Sequence, residues 1–450
     1  MTSTLANRTL FEIRSATAVM RMRTFRLALE TTLLVVILRS AVAANEAKPP
    51  EVRLAAAFQL PQLPGLSGPS ADWRQWDSFF TFVVKQFGQE LSGDLKDSLG
   101  EAFLDSRYEL TSAIASSGGQ NPVPELFLSG WKRLSPVLNK ALPSLSQQSA
   151  SRYASFISAA DKLAVVGQQG SQLGLLQLTP DSLRGMARLL EPSGATDPIA
   201  YNLNVDSALR NLLGFTIPLA TPNPAPGIKQ SGLRGLPLDV QRASLLPSWL
   251  DAVAMAAEPG LKKLNGWVPD AKELDAYLAE VRVLLSDLSD KVAAKSKLAE
   301  EYKPVYRQIV FAAGWQESCW RQYIRKGKEV TPLASATGDV GLMQVNRNTW
   351  RGVYDVKGLG GDIEYNGNAG GEILLYYLSR YAIRKNEDKQ LGGNLARATY
   401  SSYNGGSSHL TRYRAAKPNP ALKKVDEAFW EKFQAVSSGR EMDVLSCYRK

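Results

Sequence analysis

The sequence predicts a mainly α-helical protein in two parts: an N-terminal helical domain and a C-terminal domain of α+β type that is itself mostly helical. Three observations predict it. Apolar residues recur at three- and four-residue steps between Trp73 and about Leu213. A stretch dense in proline and glycine, Phe215 to Pro247, then breaks that pattern. Helical spacing resumes beyond it, and the residue types suited to acid chemistry fall within 301–450. A chain of 450 residues makes two domains the default. Its 44% hydrophobic and 21% charged content is that of an ordinary globular protein and excludes wholesale disorder.

Taken in order, residues 1–43 read as an export signal. Arg21, Arg23 and Arg26 precede an apolar stretch from Leu27 to Leu38, and Ala41-Val42-Ala43 supplies a small-residue cleavage pattern. Glu30 and Arg39 interrupt the run, and Met20 or Met22 as the start would give a more usual leader. The stretch is too short to span a bilayer comfortably, and no cysteine near the cut offers a lipid anchor, so no stable membrane anchor is expected. The expectation is an exported protein of the periplasm or cell envelope. Residues 44–70, rich in Pro, Ala and Gly, read as a linker.

Residues 71–215 form the expected helical domain. Trp76, Phe79, Phe80, Val83, Phe87 and Leu91 mark one amphipathic helix. Further helices are expected over Asp94–Phe103, Leu126–Leu138 and Ser149–Val166, and Thr179-Pro180 opens another with a cap and a proline in its first turn. These stripes read as core and carry no chemistry; the region's size suits a docking surface for an envelope partner or an extension of a groove. Residues 216–247 form the Pro/Gly-rich linker or loop, and 248–300 a helical connector. In the connector a helix runs from Pro269-Asp270 to about Ala299, with Leu274, Tyr277, Leu278, Val281, Leu284, Leu285 and Leu288 on one face.

The last part, 301–450, is basic, with 23 Lys and Arg against 15 Asp and Glu. That balance favours an anionic polymer as partner. No basic run interleaved with aromatics stands out, which argues against nucleic acid. Cys319 and Cys447 are the only cysteines, and an even count in an exported chain predicts a disulfide, with two separate buried thiols as the alternative. Two cysteines and one histidine cannot build a structural zinc site by themselves, so no metal is expected.

Three blocks there carry chemistry. Pro304 starts a helix expected to reach about Arg325, which places Gln316-Glu317-Ser318 on a mostly buried helix. A carboxyl partly removed from water has a raised pKa, and that suits Glu317 to general acid catalysis. Ser318 is a candidate for hydrogen bonds to a sugar or N-acetyl group, and Trp315 and Trp320 flank the acid as either groove or core residues. Gly338-Asp339-Val340 then leads into Gly341-Leu342-Met343-Gln344-Val345, where two close glycines permit an irregular backbone that approaches a ligand. After a helix from Asn366 to about Tyr381, a last one from Asn394 ends at Ser402-Tyr403-Asn404-Gly405-Gly406 with a glycine cap signature. His409, the only histidine, is expected at the surface.

These three blocks, in this order, resemble the transglycosylase SLT family, which shares the goose-type-lysozyme-like fold; the resemblance covers roughly residues 300 to 415. It implies a peptidoglycan lytic transglycosylase that cleaves the bond between N-acetylmuramic acid and N-acetylglucosamine with one glutamate, Glu317, acting as acid and then base. It implies that the strip around Met343 and Gln344 lines the groove, the Met343 side chain against a sugar face. Tyr403 would reach the acid through its hydroxyl, and Asn404 would hold a substrate amide. Family members usually read Ala-Tyr-Asn where this chain has Ser402-Tyr403-Asn404. The implied partner is the peptidoglycan glycan strand, with no cofactor.

Two rivals stay open. Asp339 lies just before the strip, and as a second carboxylate it would activate water and make the protein a hydrolytic muramidase; its plainer role is to form the Gly-Asp turn. A non-catalytic peptidoglycan-binding or envelope-assembly protein would keep the groove without needing the acid.

Overall fold

Local capping signals in the sequence set the first helices of the computed structural model, which describes residues 71–116, 121–170, 178–194, 196–215, 221–224, 264–389 and 394–449. Helix α1 (Trp73–Glu90) opens with a capping box, in which Asp72 accepts from the amides of Arg74 and Gln75 while Gln75 accepts from the Asp72 amide. It is followed by α2 (Gly93–Ser116), α3 (Val123–Ala141), α4 (Gln147–Gly170), α5 (Pro180–Leu190) and the short α6 (Ser207–Leu212). Thr179 caps α5 as its sequence predicts, accepting from the Ser182 amide at 3.2 Å. The expected stripe of α1 is buried, and its rings interlock with those of the next helices: Trp76 on Phe127, Phe80 on Phe103 and Phe87 on Phe156. The predicted leader 1–43 and linker 44–70 lie outside the described residues, as do most of 216–247 and the first part of 248–300.

The connector helix is α7 (Leu274–Ala294), shorter at both ends than its stripe suggests, and its predicted apolar face is buried from Tyr277 to Leu288, with Leu274 partly exposed. It packs against α8 (Lys303–Ser318) and α10 (Ile363–Tyr377). Helix α8 is the centre of this half, since it also touches α11 (Asn394–Gly405) and α12 (Pro420–Ser437). Such a surround requires small side chains, and Ala312, Ala313 and Gly314 supply them. α8 stops at Ser318, seven residues before the sequence pattern ends, because Cys319 and Trp320 both adopt left-handed backbone with φ of 54° and 60°. Trp320 turns back into the core, its indole N–H donating to the Phe311 carbonyl. Among the described residues the strands are two short antiparallel pairs, β1 (Tyr323–Lys326) with β2 (Glu329–Pro332) and β3 (Asp339–Val340) with β4 (Val345–Asn346). After α9 (Val356–Gly361), α10 runs on into a π-helical turn over Leu378–Ile383. A 3₁₀ segment, Glu441–Tyr448, closes the chain, and there Cys447 is disulfide-bonded to Cys319 with their Cα atoms 6.2 Å apart.

The mainly helical class is therefore observed, and the helices of 71–215 belong with the C-terminal half in one compact unit, Gln59–Lys450. A buried charge cluster joins them. Arg107 of α2, 1% exposed, donates to Asp77 of α1 at 2.9 Å and to the carbonyls of Thr349 and Arg351 at 3.1 and 2.6 Å. Arg351 donates to the other Asp77 oxygen at 2.6 Å and to the Asn202 carbonyl. A second buried pair, Arg210 with Glu372 of α10, is completed by the Tyr354 hydroxyl. Charges so deep are tolerated only because carbonyls and counter-charges satisfy them. Among the described residues no helix is long and apolar enough to cross a membrane.

Candidate active site

Glu317 sits in the last turn of α8, where the helix emerges from the core at the wall of a cavity of about 380 Å³. Its carboxyl is ringed by protein, and the loss of water pushes its pKa up from 4.5 to about 7. The Tyr400 hydroxyl donates to Glu317 Oε1 at 2.8 Å and pulls the pKa down in part, while the negative charge of Asp339 adds to the rise. Near pH 7 the group thus holds its proton about half the time, the condition for giving one up and taking one back.

The sequence assigned the tyrosine contact to Tyr403, and the structure gives it to Tyr400, one helical turn earlier on α11. Tyr400 is pinned by its ring, which stacks on Phe429 of α12 with centroids 4.0 Å apart. Tyr403 instead donates to the Met343 carbonyl at 2.6 Å and lines the cavity with its ring. The spacing of three between these tyrosines was the available signal, since it sets both on one helix face.

The glycine strip is held from behind by two buried amides. Gln322 accepts from the Leu342 amide at 2.7 Å and donates to the carbonyls of Leu359 and Gly360. Asn366 of α10 accepts from the Met343 amide at 2.8 Å and donates to the carbonyls of Val340 and Leu359. Ser318 joins this scaffold: it is buried and donates to the Leu342 carbonyl at 2.6 Å, so it positions the strip instead of facing the cavity. Gly341 has a φ of 76°, and a Cβ there would lie 2.3 Å from Gln322 Oε1, so only glycine fits. The Met343 side chain is fully buried between Gly314 of α8 and Gly370 of α10, not against an open face. Gln344 does line the cavity, in left-handed backbone with φ 46°.

Asp339 shares the cavity with Glu317. Its carboxylate accepts from the hydroxyls of Ser335 and Thr337 and, at 2.8 Å, from the Asn346 amide. Asn404 is exposed on the cavity rim and accepts from Arg412 at 3.1 Å. Arg412 is itself buried against Asp426 and approaches Nδ1 of His409, which lies half-buried behind the rim with its pKa lowered by burial and by that guanidinium. Trp315 and Trp320 are both core residues. Ser402, buried with no hydrogen-bond partner among the described residues, takes no part in the lining.

One wall comes from the N-terminal helical region, beyond the end expected for its second helix at Phe103. Tyr108, Thr111 and Ser112 of α2 line the cavity together with Glu317, Thr349 and Trp350. The lining as a whole is hydroxyls, amides, two carboxylates and aromatic faces. Such a set suits a polyhydroxylated, amide-bearing ligand, with one proton donor of near-neutral pKa against it. No family model, curated protein or solved structure matches the chain.

Proposed function

We propose that this protein is a peptidoglycan lytic transglycosylase, exported to the periplasm or cell envelope. The observation that carries the reading is Glu317: a carboxyl with a pKa of about 7 at the wall of a polar cavity, fixed by Tyr400. The resemblance of the three sequence blocks supports the substrate, and the disulfide suits an oxidising compartment.

In this reading Glu317 protonates the glycosidic oxygen between N-acetylmuramic acid and N-acetylglucosamine, and the bond to the anomeric carbon breaks. The carboxylate left behind then takes the proton from the 6-hydroxyl of the same muramyl residue as that oxygen closes on the anomeric carbon. The product is a 1,6-anhydro end, and no water is consumed. A tethered hydroxyl needs no separate binding event, which is the advantage of an intramolecular nucleophile. Tyr400 stabilises the anionic interval of Glu317, Asp339 favours both the proton's presence and the positive charge developing at carbon, and Gln344 and Asn404 offer amides to the N-acetyl groups.

A second reading has its own observation, since Asp339 lies in the same cavity and would serve as base in a hydrolytic muramidase. Three donors already occupy its oxygens, which leaves little capacity to orient water and favours the first reading. Mass spectrometry of peptidoglycan digested by the mature protein separates the two. Anhydromuramyl ends, lost with Glu317→Gln, are expected. Reducing muramic acid ends would move Asp339 into the mechanism, and binding without cleavage would leave a wall-binding protein.

A further inference from the structure

The wall supplied by α2 has a particular placement. Tyr108 donates to the carbonyl of Tyr403, on the α11 side of the cleft, at 3.0 Å. One turn on, the Thr111 and Thr349 hydroxyls are 3.0 Å apart, and Arg107 reaches the Thr349 carbonyl on the β4 side. The same helix is therefore tied to both banks of the cleft, and between those ties its surface lines the cavity. Asp105 adds a further tie, accepting from the amide and hydroxyl of Ser407 just past Asn404.

We infer, resting on the glycan-cleaving reading above, that α2 closes one end of the cleft, so that the protein takes glycan strands by their ends and releases short products instead of cutting strand interiors. An interior cut requires a groove open at both ends, because the strand must continue past the site in both directions. A bar across one end admits only a terminus. The bar is fixed, not a lid. Arg107 is buried in the cluster with Asp77 and Arg351, and lifting α2 would strip a guanidinium of its carboxylate and both carbonyls. The cavity's volume, about 380 Å³, is near the lower end of the roughly 300–1,000 Å³ range for small-ligand sites, which suits a few sugar rings.

The test is a time course on long glycan strands freed of stem peptides, with products separated by length and weighed by mass spectrometry. Short anhydro-ended fragments are expected from the earliest samples while the remaining strands keep nearly their full length. An early wave of intermediate lengths would overturn the closed end while leaving the cleavage reading intact. No product of any length would instead remove the cleavage reading, and this one with it. Ser112→Trp provides the local check, because Ser112 is exposed on α2 and lines the cavity, so bulk there fills the closed end without touching the core. Release of short fragments should fall about a hundredfold, the usual cost of displacing a substrate from its working position, with the melting temperature unchanged. A Ser112→Trp or Ser112→Tyr protein that folds and cleaves at the original rate would place the working end elsewhere.

Discussion

A carboxyl that titrates near pH 7 is costly to keep, and Glu317 shows both sides of that cost. Its pKa of about 7 in the folded chain lies above the ordinary 4.5, so the folded state binds the proton more tightly than the unfolded one. That contribution to stability is complete below about pH 4.5 and is lost as pH rises through 7. Glu317→Gln should therefore melt higher than the parent above pH 7, by about 1–3 kcal/mol, while cleavage falls by about 10²–10⁴-fold; thermal melts and product assays read the two effects. The neighbours tune the same proton in opposite directions. In the proposed reaction cleavage needs protonated Glu317, so it should decline as pH rises past about 7. Asp339→Asn removes the charge that raises the pKa and should move this alkaline limb to lower pH, whereas Tyr400→Phe removes the bond that lowers it and should move the limb higher. Profiles of kcat/KM against pH for the two variants decide this. A shift of both in one direction would contradict the electrostatic account.

At the scale of elements, two features fix how Glu317 meets the glycine strip. The first is the end of α8, where two successive left-handed residues turn the chain sharply just after Glu317. Backbone of that kind costs about 1–3 kcal/mol per residue and persists only when its surroundings enforce it. The disulfide at Cys319, the Tyr448 hydroxyl on the Cys319 carbonyl and the burial of Trp320 enforce it here. Replacing both cysteines by serine should lower stability by about 2–4 kcal/mol, because the bridge joins residues 128 apart; denaturant melts with and without reductant would show the same loss in the parent. The second feature is the strip of β3, β4 and the turn between them, held by Gln322 and Asn366. Gly341→Ala would drive a methyl into the Gln322 amide and strain a φ of 76°. It should cost about 1–3 kcal/mol and lower cleavage about a hundredfold, as judged from melts and kcat/KM.

On the scale of the whole molecule, the N-terminal helices are part of the site's architecture. Asp77, Arg107 and Arg351 bring α1, α2 and the segment after β4 together in a buried cluster. Arg107→Met leaves Asp77 with one partner and two carbonyls without a donor, and should destabilise by about 3–5 kcal/mol in a single cooperative unfolding transition. Separate transitions for the two halves in a calorimetric scan would show that the cluster does not couple them. How legible each part was follows from the range of the forces involved. The α1 stripe, the Thr179 cap and the buried face of α7 were readable because periodicity and capping act within a few residues. Glu317 and the strip were readable as motifs, but the roles around them were not. Ser318 and Met343 turned inward and Tyr400 displaced Tyr403 at the acid, since the direction of each side chain depends on which helix packs behind it.

The sequence by itself determined the helical class, the glutamate that stands as candidate acid, the glycines that let the strip bend and the two cysteines available to bridge, all of them properties of residue type and short spacing. Only the tertiary structure decided that Glu317 is desolvated enough to titrate near 7, that Tyr400 holds it, that Asp339 shares its cavity and that α2 forms a wall more than two hundred residues away in sequence. Desolvation and wall placement are sums over neighbours brought together by long-range packing, and no local pattern encodes which neighbours those will be.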